Sequence, residues 1–342
     1  MRIGINTVDM LPGFGGGEEV FIRRVLDSIS AQNSSAELVV LTDALNHESF
    51  KNFETIQVRS VKDIARVAAA EELDMVFSSV RNAPSKVSVP QIVLVMELYE
   101  SPSKGKRFWG GGSAQRNIGD VCDQASVVLV PSEFVKKDLL NKFTVPLNKV
   151  VVAPMGVDEC FGTEQHCIVQ QPYYLAVGKV SARKNLDALL QAMEQAEECA
   201  EHSLVIVGQP GEDEPENWGD RVIRIDRLGS TQLAGLYEHC DMYLCASLYE
   251  GSGVTVLEAF KSGTLVGAGR VGGIAEVAGD APFYFKPESV DSIVGVLKRV
   301  ADLTDEERAR RVQGGKQLTV EFTWENCAQK VLGAFRKGLA GG

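Results

Sequence analysis

Met242-Tyr243-Leu244-Cys245-Ala246-Ser247-Leu248-Tyr249-Glu250-Gly251-Ser252-Gly253-Val254-Thr255-Val256-Leu257-Glu258-Ala259 reads as strand, loop and helix in succession. The run 242–245 is apolar at every position, as a strand is when helices cover both faces of a parallel sheet. Gly251, Ser252 and Gly253 mark a loop, and Val254–Lys261 has the spacing of a short helix. Glu250 then sits in the loop, and Glu258 lies about one turn into the helix. The N-terminus of such a helix offers N–H groups with no internal partner, which suit a phosphate. A carboxylate beside them can accept hydrogen bonds from sugar hydroxyls. The bland alternative is two unrelated surface glutamates, with Glu258 in a capping or ion-pair contact.

The same unit recurs outward in both directions. Towards the C-terminus, a strand at Leu265–Ala268 and a helix at Val290–Asp302 are expected. Upstream of Met242, strands are predicted at Tyr173–Gly178, Ser203–Gly208 and Val222–Ile225, with helices at Asn185–Glu198 and Ser230–His239. The stretch Gly156–Gln171 has turn residues and no period, and reads as a linker. Before it, strands are expected at Arg2–Asn6, Leu38–Thr42, Met75–Ser78, Ile92–Met96, Val127–Val130 and Val150–Ala153. Helical patterns fall at Glu18–Ser30, Val61–Glu72, Ser113–Gln124 and Ser132–Lys142. This β-α alternation predicts an α/β protein of two doubly wound domains. In open sheets of that kind ligands bind beyond the carboxyl ends of the strands, so functional residues belong on the loops that follow strands.

Three more such loops carry chemistry. Gly178-Lys179-Val180-Ser181-Ala182-Arg183-Lys184-Asn185 places cations where a helix opens. Cations are unfavourable there against the helix dipole, and a diphosphate would neutralise both. Arg183 can bind it as a fork and Lys184 as a point charge. A solvated basic loop is the competing reading. Leu11-Pro12-Gly13-Phe14-Gly15-Gly16-Gly17-Glu18-Glu19 follows the first strand, and its glycines allow backbone to approach an anion or a sugar. It is not G-x-G-x-x-G in register, which argues against a dinucleotide site. Gly272-Gly273-Ile274-Ala275-Glu276-Val277 is a further glycine turn with a carboxylate, weak evidence by itself. Separately, Ser101–Gly110 combines three cations with Phe108 and Trp109. It reads as an acceptor loop, a membrane-surface contact or a solvated loop.

Composition bounds the function. The 342 residues predict about two domains at ~150 residues each. An apolar share of 44% with 24% charged residues excludes disorder for the bulk of the chain. No apolar run reaches the ~18 residues of a membrane span. The chain opens on strand-like Arg2-Ile3-Gly4-Ile5 with no apolar signal core, so a cytoplasmic protein is expected. The net charge of −11 argues against nucleic acid as a partner. It is uneven: residues 1–155 sum to −1 and the remainder to −10. The first half therefore tolerates an acidic lipid surface or an anionic acceptor, permitting peripheral membrane contact. Seven cysteines with no C-x-x-C pair fit reduced thiols, and the four histidines lack metal-binding spacing.

These segments, in this order, resemble the retaining GT4 glycosyltransferases (glycosyl transferases group 1), which have the GT-B fold. Gly16-Gly17-x-Glu19 resembles the family's N-terminal glycine loop, Val130-Pro131-Ser132-Glu133-Phe134 its P-S-E-F segment, and Ala153-Pro154-Met155-Gly156-Val157-Asp158 its P-N-G-V-D. Gly178 to Asn185 resembles the diphosphate loop in its R-K-N form. Glu250 to Glu258 matches E-G-x-G-x-x-x-L-E-A, and Gly273-Ile274-Ala275-Glu276-Val277 to Pro287 resembles the segment after it. Phe322-Thr323-Trp324 is similar to the F-S-W that opens the last helix.

The resemblance implies two Rossmann-like domains facing each other across a cleft. Residues 1–160 would bind the acceptor and 161–321 the nucleotide sugar, and the helix at 322–342 would cross back to the N-terminal domain. It implies that Arg183 and Lys184 bind the donor pyrophosphate, Glu258 the ribose and Glu250 the donor sugar. Backbone at Ser252, Gly253, Val254 and Thr255, with Gly16, Gly17 and Gly178, would complete the site. No metal or cofactor is implied, and no D-x-D is present to hold one. The donor would be a UDP or GDP sugar, the transferred group a hexosyl, and the acceptor a glycan, lipid-linked sugar or small molecule. One departure stands out. Where many members carry His-Asp near the acceptor, this chain has Met96-Glu97. That motivates an alternative: a silent GT-B partner subunit that binds nucleotide sugar without transfer. On the acceptor side Met96, Glu97 and Trp109 are the candidates.

Overall fold

The computed structural model describes residues 1–13, 16–32, 34–99, 118–211, 214–215 and 217–341. They fall into two compact units. One holds the described residues before Gly156 together with those from Trp324 onward, and the other holds Gly156–Thr323.

In the first unit the strands are β1 (Arg2–Asn6), β2 (Glu37–Thr42), β3 (Glu54–Gln57), β4 (Met75–Ser79), β5 (Gln91–Leu94), β6 (Val127–Val130) and β7 (Val150–Val152). Its helices are α1 (Gly16–Ala31), α2 (Ile64–Ala70), α3 (Ile118–Gln124) and α4 (Glu133–Lys142). The second unit has β8 (Tyr173–Val177), β9 (Ser203–Val207), β10 (Val222–Ile225), β11 (Met242–Cys245), β12 (Val266–Gly269) and β13 (Phe283–Phe285). Its helices are α5 (Leu186–Gln195), α6 (Ser230–His239), α7 (Val254–Lys261), α8 (Gly272–Val277), α9 (Val290–Ala301) and α10 (Asp305–Leu318), and α11 (Trp324–Ala340) closes the chain.

Both sheets are parallel, ordered β3-β2-β1-β4-β5-β6-β7 and β10-β9-β8-β11-β12-β13. Each therefore reverses its winding beside its first strand, at β1/β4 and at β8/β11, which is where doubly wound sheets place their ligands. The apolar strand runs explain the layering. Along β8, Tyr173 and Leu175 enter one core and Tyr174 and Ala176 the core on the opposite face. A strand buried on both faces must be apolar throughout, which made these segments legible.

Several boundaries differ from expectation. The helix expected from Val61 opens as a 3-10 turn at Val61–Asp63 before α2. The strand expected at Leu265–Ala268 is shifted to Val266–Gly269. The stretch read as a linker, 156–171, is packed onto the second unit. Phe161 lies edge-on to Tyr237 at 5.7 Å, and Gln165 N donates to Glu238 at 2.8 Å. Val157 N donates to Phe322 O at 2.9 Å, joining two of the motif segments. Ser132, of the P-S-E-F segment, caps α4 by accepting from Val135 N at 3.1 Å. α11 packs on the first unit, with Trp324 against Phe21 and Phe335 against Phe77. All seven cysteines are free. Among the described residues no helix is long and apolar enough to cross a membrane.

Candidate active site

The loops after β8 and β11 are stitched together at the second unit's winding reversal. Leu248 N donates to Arg183 O at 2.8 Å. After β8 the chain turns at Gly178 with φ +130, and a Cβ there would stand 2.3 Å from Lys184 Cε. Glycine is required because the Lys184 side chain crosses over it. Ala182–Lys184 forms one 3-10 turn, and Asn185, left-handed at φ 52, starts α5 and anchors the loop by donating to Pro287 O at 2.7 Å.

Lys184 is only 7% exposed, rare for a lysine unless it is paired. Its partner is Glu250. Lys184 Nζ, Arg183 Nη1 and Ser247 Oγ all donate to Glu250 Oε1, at 2.8, 2.9 and 2.7 Å. Arg183 Nη1 also donates to Tyr249 O at 2.9 Å. Burial by itself would push the Glu250 carboxyl up. The Lys184 ammonium and the Arg183 guanidinium, with hydrogen bonds from Lys184 and Ser247, outweigh that and hold it at about 2. Glu250 thus holds both cations in place.

The glycines of the next segment support this loop. Gly273 N donates to Glu250 O at 2.7 Å, and a Cβ on Gly272 would meet that same oxygen at 2.2 Å. The segment read from sequence as a glycine turn is the start of α8, and Gly272 and Gly273 form the floor beneath Glu250. Gly253, at φ 71, starts α7 without a side-chain cap, and Ser252 Oγ accepts from Val254 N at 3.3 Å. The first turn of α7, with Val254 and Thr255, presents the positive end of the helix dipole. Tyr243 Oη donates to Thr255 Oγ1 at 2.8 Å.

Glu258 is the fifth residue of α7 and is half-buried. Tyr237 Oη, from α6, donates to its Oε2 at 3.1 Å. Among the described residues no donor reaches its other oxygen. Burial pushes the Glu258 carboxyl up to about 8; the Tyr237 hydrogen bond and Lys184 pull against that rise and Asp158 adds to it. The two glutamates seven residues apart are thus held in opposite states, one ionised in a cationic clamp and the other retaining its proton near neutrality. Sequence reasoning assigned no role to Ser247 or Tyr237. Ser247 lay within the quoted motif, whereas Tyr237 reads as an ordinary core position of α6.

In the first unit the glycine loop opens α1 at Gly16, two residues before the expected start, with φ +59 and open space around it. A Cβ on Gly17 would lie 3.6 Å from Met96 Cε, so these two sequence candidates are neighbours. Glu19 is buried and accepts from Gly13 N at 2.7 Å and Arg23 Nε at 2.8 Å, fixing the loop to the helix. Glu18, which the sequence reading left without a role, accepts from Ser79 Oγ at 3.1 Å and lies 3.7 Å from Arg81. Burial pushes its carboxyl up, Arg81 and Ser79 pull it back, and nearby Glu97 adds to the rise. Trp109 lies outside the described residues, as does the whole 101–110 segment.

Residues 164–318 match the family described as Glycosyl transferases group 1. O-antigen chain mannosyltransferase B of Escherichia coli is 27% identical over 243 residues, which cover 65% of this chain and 63% of that protein. The MMP alpha-(1->4)-mannosyltransferase of Mycolicibacterium hassiacum is 26% identical over 246 residues, 69% of this chain and 59% of that one. The matched stretch therefore spans about three fifths of these relatives' own length. The structure of Anabaena HepE in complex with UDP-glucose superposes with a TM-score of 0.77 at 14% identity, over 98% of this chain and 99% of that one, a likeness of fold. The two doubly wound units are thus of the GT-B class of α/β fold. The stretch that resembles the glycosyl transferases group 1 family, residues 164–318, is most of the second unit.

Proposed function

We propose that the protein is a retaining, metal-independent glycosyltransferase that moves a hexosyl group from a UDP or GDP sugar to a glycan, lipid-linked or small-molecule acceptor. The observation that carries this is the Arg183–Lys184–Glu250 clamp beside the start of α7, which has no side-chain cap, with Glu258 on that helix presenting an oxygen that no described donor reaches. Two cations and a helix N-terminus suit a leaving diphosphate, and stabilising that charge replaces the work of a metal. Glu258 would take the ribose, and Glu250 the donor sugar while it keeps the cations in place. No carboxylate stands out as a covalent nucleophile, which favours same-face substitution through an oxocarbenium-like transition state, the departing phosphate taking the acceptor proton. The likeness to two mannosyltransferases and to HepE, which binds UDP-glucose, supports a nucleotide-sugar donor.

Calorimetric binding of UDP and GDP to wild type and to the Arg183→Ala/Lys184→Ala double variant tests the reading. One nucleotide is expected to bind, and the double variant to weaken it by more than ~1.4 kcal/mol, or tenfold. Absence of binding by either nucleotide would falsify the assignment. A second reading, a donor-binding subunit without transfer, is favoured by Met96 lying over Gly17 where a histidine is common in the family. Donor hydrolysis with nucleotide release would exclude it.

A further inference from the structure

We propose that Tyr237 is a positioning residue for the nucleotide ribose, its buried hydroxyl fixing one oxygen of Glu258 so that the other is presented to the ligand. The inference rests on the nucleotide-sugar reading of this site and adds a specificity-determining group outside the loops that follow strands.

Tyr237 is fully buried on α6, with its ring edge-on to Phe161 at 5.7 Å and to Tyr243 at 5.2 Å. Its backbone is pinned as well, Thr264 Oγ1 and Cys240 Sγ both donating to Tyr237 O. The ring is packed against two aromatic neighbours and the helix turn beneath it is anchored, which fixes the direction of its phenol. That donor ends on Glu258 Oε2, and no other described donor reaches the Glu258 carboxyl. A glutamate has three side-chain torsions, and one anchored oxygen removes most of their freedom before a ligand arrives. The remaining oxygen, which carries the proton while Glu258 is neutral, exchanges a hydrogen bond with a vicinal ribose hydroxyl at little ordering cost. A ligand lacking that hydroxyl leaves the half-buried carboxyl unpaired, which is how polar sites discriminate. Among the described residues, the charged groups that act on Glu258 are Lys184 from the loop after β8 and Asp158 from the segment before β8; Lys261, one turn along α7, is held by Glu159 Oε1 at 2.7 Å.

Tyr237→Phe removes the donor and keeps the ring. Affinities of UDP and GDP are compared with those of their 2′-deoxy and 3′-deoxy forms by calorimetry. For the nucleotide that binds, Tyr237→Phe is expected to cost about fivefold to tenfold for the ribonucleotide and under about twofold for the form lacking the recognised hydroxyl. In a Glu258→Gln background the same change is expected to do nothing further. The Glu258 carboxyl, followed by carbon NMR, is expected to titrate at higher pH in Tyr237→Phe, because a hydrogen bond to the ionised form is lost. An equal loss for ribo- and deoxynucleotides, additivity with Glu258→Gln, or an unmoved Glu258 titration overturns the role of Tyr237 alone. If wild type binds neither nucleotide, the donor reading fails and the ribose role fails with it. Global 3-fluorotyrosine makes the phenol a stronger donor while keeping the packing. It is expected to widen the ribo-to-deoxy ratio in wild type but not in Glu258→Gln, and so keeps the test decisive if Tyr237→Phe does not fold.

Discussion

Glu250 and Glu258 share one motif yet respond to pH in opposite ways, because their neighbours differ. Glu250 is held at about 2 in the fold, against ~4.3 for an unperturbed glutamate. Between those values the unfolded chain binds more protons, so stability rises with pH across that window. The contribution is about 3 kcal/mol, present above ~4.3 and lost as pH falls towards 2. Glu258, at about 8, works the other way: the folded state binds more protons from ~4.3 upward, so its contribution declines as pH rises through 8. Urea unfolding of the second unit at a series of pH values is expected to show an acid limb absent in Glu250→Gln and a decline above pH 5 flattened in Glu258→Gln. A decline that persists in Glu258→Gln would remove Glu258 as its source. At this scale Arg183, Lys184, Glu250 and Glu258 were legible in sequence, being charged groups on loops or a helix start just after strands. What was hidden is that Glu250 clamps the two cations and that Tyr237 holds Glu258. Both contacts join residues 21 to 67 positions apart, a pairing that no local pattern encodes.

Elements were legible where burial dictates composition and hidden where it does not. β1, β6, β10, β11, α6 and α7 stand at their expected bounds because apolar runs and loop glycines mark them. β3 and β13 are short strands at or near sheet edges, and α10 has no apolar stripe, with Gly315 its only buried residue. The overlooked signal for α10 was Thr304-x-x-Glu307: Thr304 Oγ1 accepts from Glu307 N at 3.2 Å, ahead of three acidic residues in the first turn. α10 is held by polar reach and close approach. Arg311 donates to Ala281 O at 3.1 Å and lies 4.1 Å over the Phe283 ring, and Gly315 lets the helix meet Phe260 of α7. The two adjacent glycines of α10 therefore differ. A Cβ on Gly315 would lie 2.5 Å from Phe260 Cδ1, whereas one on Gly314 meets nothing within 4 Å. Gly315→Ala is expected to destabilise the second unit by about 1–3 kcal/mol through overpacking. Gly314→Ala is expected to stabilise it by about 0.5–1 kcal/mol through helix propensity. Thermal unfolding of the two single variants decides it, and shifts of the same sign would contradict the packing of α10 on α7 described above.

The helix expected to cross back to the N-terminal domain does belong to the first unit. α11 follows the second unit in the chain but supplies core to the first. Its helical spacing directs Trp324, Cys327, Ala328, Val331, Leu332, Ala334 and Phe335 to one face, and all of them are buried. The large side chains among them meet Phe21 on α1 and Phe77 on β4, while Gly338 brings the helix close to Ile92 on β5. The second unit's two described cores draw on residues 157–322. Removing α11 uncovers side chains worth roughly 1.5–3 kcal/mol each, and the four large ones (Trp324, Val331, Leu332 and Phe335) together rival the 5–15 kcal/mol that holds a domain folded. A chain ending at Thr323 is therefore expected to have an unfolded first unit and a folded second one. Limited proteolysis should leave a resistant fragment covering about 156–323, with the glycine loop and Met96 cut early. Nucleotide binding should survive in that fragment if the donor site is confined to the second unit. Protease resistance of the first unit in the truncated chain would show that α11 covers a core able to stand without it.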